Sequence, residues 1–166
     1  MQKELSIHEH VKQLGILYFA LIAGQLGMFA ALFFVADSLQ SNPESVDGAI
    51  GGSSIALIFS LFCLMAIGMA FFIYNKRKEN GRQLTGSLVE KLTHYRASFM
   101  VRAALIEGAN LLALIVYFFI ESNYVLLLLF AIGIAAFLFI RPTVDRIVED
   151  YQLSSSEQSE LRNAVN

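Results

Sequence analysis

The sequence predicts an all-α integral membrane protein, a four-helix bundle built as two helical hairpins repeated in parallel, and three observations carry that prediction. The chain is apolar, with mean hydropathy +0.58, 56% hydrophobic residues and only 16% charged ones. A soluble domain of 166 residues would hold far more charge on its surface. Its apolar residues fall in blocks at about 14–36, 50–74, 99–120 and 124–140. A helix needs roughly 20 such residues to cross a ~30 Å hydrocarbon core. All 12 Lys and Arg residues then fall on one side of the spans, and none lies in the two opposite loops.

The first span follows a polar segment in which Ser6-x-x-Glu9 forms a capping box, the hydroxyl serving an orphan amide and the glutamate reaching back. It is too long for a cleavable signal sequence. Within it, Gln25 sits near mid-depth among Ala20, Ala23, Gly24, Gly27 and Ala31, a stripe of small residues that lets another helix approach closely. A leucine at Gly27 is therefore expected to separate helices. The second span carries Ser53, Ala56, Ser60, Cys63 and Ala70 as another small or polar stripe.

Lys76, Arg77, Lys78, Arg82, Lys91, Arg96 and Arg102 follow, and by the positive-inside rule this loop and both termini are cytoplasmic. The expected location is the bacterial inner membrane, with the lipid bilayer as first partner. Ser87-x-x-Glu90 is a second capping box, 81 residues after the first. Leu88, Leu92, Tyr95 and Phe99 recur at helical spacing, so the third helix is expected to run unbroken from Ser87 to about 120. "AIGMAFF" at 66–72 matches "AIGIAAF" at 131–137, a further sign of duplication. After the fourth span Arg141-Pro142 breaks the helix, and 142–166 reads as a cytoplasmic tail. "TVDRIVEDYQL" can form a short amphipathic helix, and Ser154-x-x-Glu157 caps a last one. The Ser and Glu content there predicts a solvated, frayed end.

Chemistry concentrates in the third span. Glu107 lies about 12 Å inside it at ~1.5 Å per residue. Asn110, three residues on, shares its face, and Gln25 of span one is expected to converge with them in the bundle interior. Arg102 is five residues from Glu107, about 140° around the helix, and is expected to snorkel to the inner surface. Two roles for Glu107 compete. As an ionisable group inside a membrane it is a candidate to bind a proton, a cation or a cationic substrate. As a fastener it would hydrogen-bond Gln25 or Asn110 for ~0.6–2 kcal/mol.

"ALIEGANLLALIVYFF" resembles the carboxylate-bearing helix of rotary-ATPase proteolipid subunits, where Ala-Leu-x-Glu precedes small and aliphatic residues. The resemblance covers 16 residues and implies ion or proton carriage by Glu107. The chain departs from that family in its long middle loop, in lacking a glycine-repeat helix, and in carrying the carboxylate on the first helix of its hairpin. Small multidrug exporters also bear a membrane glutamate on four helices, but on the first, and their usual tryptophan is missing here. A non-catalytic accessory or scaffold subunit of a larger membrane complex is the alternative, and a homo-oligomer fits the same small-residue stripes. Enzyme chemistry has no support in the sequence. No nucleotide loop, zinc spacing or nucleophile motif occurs, so no cofactor or metal is expected. His8 and His10 point to different sides of a helix, and His94 reads as isolated. The basic residues lack interleaved aromatics, which argues against nucleic acid.

Overall fold

A computed structural model describes residues 6–40, 52–119 and 124–165, with side chains from 6–35, 56–119 and 124–165. Both loops opposite the basic side, and the side chain of Ser53, lie outside what it describes. Among the described residues there are six helices and no strand: α1 (Ile7–Gln40), α2 (Gly52–Arg82), α3 (Leu88–Phe119), α4 (Tyr124–Phe139), α5 (Val144–Tyr151) and α6 (Ser155–Val165). Three of them, α1, α2 and α3, are long and apolar enough to cross a membrane. With 16 residues, α4 reaches about 24 Å, short of the ~30 Å core. It makes a fourth candidate when taken together with α5, from which an 83° bend separates it.

The helix ends follow local chemistry. Ser6 N donates to Glu9 Oε2 at 2.7 Å and Glu9 N to Ser6 Oγ at 3.3 Å, a reciprocal capping box. Ser154 and Glu157 repeat it at 2.8 and 3.4 Å. At Ser87 the amide of Glu90 donates to the hydroxyl at 3.4 Å. Helix α3 runs without a break, and α4 stops before Arg141-Pro142. Thr143 caps α5 by accepting from Arg146 N, and Gln152 closes it in the left-handed region at φ 48°.

Helix α3 is the axis of the fold. Tyr95, Phe99, Ala103, Ile106 and Leu114 are fully buried along it. Helices α1 and α3 run parallel, joined at pairs separated in sequence by nearly constant steps: His10 to Thr93 and Gln13 to Arg96 at 83, Gln25 to Asn110 at 85. One core cluster gathers Tyr18, Tyr95, Phe99, Phe137 and Tyr151 at the basic end, with Tyr18 stacked on Phe137 at 5.7 Å. A second, around Cys63, Leu114 and Phe130, fills the middle. The outer faces of α1 and α2 are exposed and apolar, with Phe19, Phe33 and Phe34 on one and Leu57, Leu61 and Met65 on the other. Water would penalise such a surface and lipid does not, which together with the long apolar helices makes this a membrane-embedded protein.

Several expectations need correction. The tail is docked: Leu161 is fully buried, Lys91 Nζ meets Glu157 Oε1 at 2.7 Å and His8 Nδ1 lies 2.9 Å from Ala164 O. The ammonium of Lys91 holds the Glu157 carboxyl below its ordinary range. Its apolar face, rather than its Ser and Glu content, decides where α6 lies. The small stripe of α1 is not an intramolecular contact, since Ala20, Ala23, Gly24, Gly27 and Ala31 are all exposed. A Cβ placed at Gly24 or Gly27 would meet nothing within 4 Å. The stripe of α2 does face inward, with Ala56, Ser60, Cys63 and Ala70 buried and Cys63 Sγ donating to Ala109 O at 3.4 Å.

Candidate functional site

Among the described residues, buried polar side chains gather mainly in two groups at different depths of the bundle. The first is the one expected in mid-span. Asn110 Nδ2 donates to Gln25 Oε1 at 2.6 Å, and both residues are almost wholly buried, so this bond fastens α3 to α1. Gly133 of α4 makes room for it. A Cβ there would lie 1.6 Å from Asn110 Oδ1, so only glycine lets the α4 backbone pass the amide. Gln25 Nε2, Asn110 Oδ1 and the nearby depth of α2 at Ser60 Oγ have no hydrogen-bond partner among the described residues. Each such group costs ~1–3 kcal/mol when left unpaired, so this layer is polar beyond what fastening requires.

Glu107 does not join that pair. It is half-buried at the edge of the buried stripe of α3, between buried Ile106 and exposed Gly108. Three residues correspond to 300° of helix rotation, which sets Glu107 about 60° away from Asn110. Eleven residues separate it from Arg96, about 20° of net rotation, and Arg96 Nη1 donates to Gln13 Oε1 of α1 at 2.6 Å. Glu107 therefore lies on the flank of α3 that α1 packs against. No hydrogen bond or ion pair to a described residue engages its carboxyl.

The second group lies at the basic end, and the sequence reading missed it. Arg102 does not snorkel. It is 4% exposed, with its guanidinium 3.5 Å from the centroid of the Tyr74 ring and 5.9 Å from that of Phe71. Cation–π contact of this kind is worth ~2 kcal/mol or more when desolvated. Tyr74 Oη donates to Asp150 Oδ2 at 2.5 Å, Lys78 Nζ lies 3.3 Å from Asp150 Oδ1, and Arg82 Nε donates to Asp150 O at 2.9 Å. Asp150 thus ties α5 to α2. Beside it, the Tyr151 ring covers Gly81, where a Cβ would come within 2.5 Å, and Tyr151 Oη sits 2.6 Å from His94 Nδ1. His94 is accordingly not isolated. A signal for Arg102 exists in the sequence: the run Leu88, Leu92, Tyr95, Phe99 continues by three to 102, which puts the arginine on the buried face.

The histidines do not assemble a metal site, and no group of three metal-binding side chains occurs among the described residues. Comparison of the chain with protein-family models, with curated proteins and with solved structures found no match.

Proposed function

We propose that the chain is a small four-helix membrane protein, two parallel hairpins with both termini in the cytoplasm, that performs ion- or proton-linked transport through Glu107. The observation that carries the reading is the division of labour on α3. Fastening to α1 falls to Asn110 and Gln25 at 2.6 Å, while the carboxyl of Glu107 stays half-buried with no partner among the described residues. A carboxylate in hydrocarbon that is not used as a fastener is free to take up and release a proton or cation. The unpaired Gln25 Nε2 and Asn110 Oδ1 give the same layer further ligands for a polar guest. The near-constant step between α1 and α3 supports the parallel repeat, and the one-sided distribution of all 12 basic residues supports cytoplasmic termini and an inner-membrane location.

Glu107→Gln keeps shape and hydrogen bonding but cannot ionise. In proteoliposomes it is expected to abolish proton- or ion-linked flux while the variant melts with the wild type. A hydrophobic carbodiimide should modify Glu107 only while it is protonated, so labelling should fade as pH rises. Full activity of Glu107→Gln would end the carrier reading. Orientation has its own check. Single cysteines at Ser45 and Glu121 should react with an impermeant thiol reagent added outside intact cells, and one at Asn80 should not. Labelling of the Asn80 site from outside reverses the topology.

The second reading is an accessory subunit of a membrane complex. It is favoured by the outward-facing stripe from Ala20 to Ala31, a surface on which a partner helix could pack closely. The purified chain distinguishes the two, since only a carrier moves ions alone.

A further inference from the structure

We propose that Arg102, with Tyr95, forms a binding site for a phosphate group at the basic end of the bundle. This site is separate from Glu107 and does not depend on the transport reading. Its central feature is one edge of the Arg102 guanidinium. Nε and Nη2, the two donors of that edge, have no acceptor among the described residues, and the only hydroxyl near Tyr95 Oη among them is that of Tyr74, which gives its own proton to Asp150. Arg102 and Tyr95 are 4% and 0% exposed, so bulk water does not serve these groups. The two N–H groups of one guanidinium edge are parallel and suited to two oxygens of a single oxyanion. Tyr95 and Arg102 are seven residues apart on α3, two turns on one face, and the Tyr95 hydroxyl and the guanidinium act on each other.

Charge selects the sign of the guest. Lys78 pairs with Asp150, and Arg146 and Asp150 both act on Arg102 from α5. Asp150 is already committed to the Tyr74 hydroxyl, to Lys78 and, through its carbonyl, to Arg82. Arg146 donates to the Phe139 carbonyl, which neutralises nothing. Positive charge therefore exceeds negative charge around a fork with unused donors. A phosphate group supplies several oxygens at once, enough for the fork and for Tyr95. Both a lipid headgroup and free phosphate present that chemistry. The Tyr74 and Phe71 rings beside the guanidinium keep the arginine oriented, so little side-chain entropy remains to be lost on binding.

The test uses the full chain and two variants. Arg102→Lys keeps the charge and removes the fork, and Tyr95→Phe removes only a hydroxyl. Each protein is reconstituted in phosphatidylcholine nanodiscs with and without phosphatidylglycerol, and retained lipid is read by native mass spectrometry. In parallel, each is melted in neutral detergent in sodium phosphate or in sodium chloride of equal ionic strength. A lipid site predicts that the wild type retains phosphatidylglycerol about tenfold better than Arg102→Lys. A free-phosphate site predicts that phosphate raises the wild-type melting temperature beyond chloride and does not raise that of Arg102→Lys. Either result should be weakened in Tyr95→Phe, which decides the matter if Arg102→Lys does not fold. The proposal is overturned if neither probe prefers the wild type to the variant that folds.

Discussion

Gly133→Leu is expected to lower the stability of the folded bundle by about 2–4 kcal/mol, read as melting in detergent. Overpacking a helix contact costs ~1–3 kcal/mol. At this position the first atom beyond the backbone would meet Asn110 Oδ1 at 1.6 Å, so the amide must also leave Gln25. Loss of that bond adds ~0.6–2 kcal/mol. Gly27→Leu supplies the contrast. Nothing lies within 4 Å of a Cβ at Gly27, so the single chain should tolerate the same substitution within about 0.5 kcal/mol. Wild-type melting of Gly133→Leu would remove Asn110 from the interface between α3 and α4. A large loss in Gly27→Leu would place a partner helix on the outer face of α1.

Asp150→Ala is expected to cost about 2–3 kcal/mol and to release α5 from α2. The substitution leaves the Tyr74 hydroxyl buried without its acceptor, a penalty of ~1–3 kcal/mol. The contact with Lys78 contributes less, because that side chain is 25% exposed and solvent screens the pair. Asp150→Asn keeps an acceptor for Tyr74 and should lose about half as much. The backbone bond from Arg82 to the Asp150 carbonyl survives in both variants. The local readout is tryptic cleavage after Arg146, in the first turn of α5, which should become faster in Asp150→Ala. Unchanged cleavage with unchanged melting would mean that Asp150 does not hold α5.

The sequence by itself determined the class of this protein and the caps at several helix ends, although α2 runs on to Arg82 through basic residues that read as a loop. Apolar length is a property of a segment alone, so α1, α2 and α3 are legible as candidate membrane helices without any neighbour. Caps are local too: Ser6 with Glu9 and Ser154 with Glu157 close within four residues, and Arg141-Pro142 stops α4 wherever the rest of the chain lies. Sidedness and placement belonged to the tertiary structure. Helical spacing tells which residues share a face, but it does not tell which face meets another helix. Two stripes of small residues therefore read alike, yet that of α2 packs inward and that of α1 points outward. The same limit separated Glu107 from Asn110. A rotation of about 60° is too small to divide them in a periodicity argument, but it is enough to bring Asn110 to Gln25 and leave Glu107 at the edge. Arg102 went the other way, into the interior, because Tyr74 and Phe71 on α2 offer it aromatic faces that no local pattern of α3 contains.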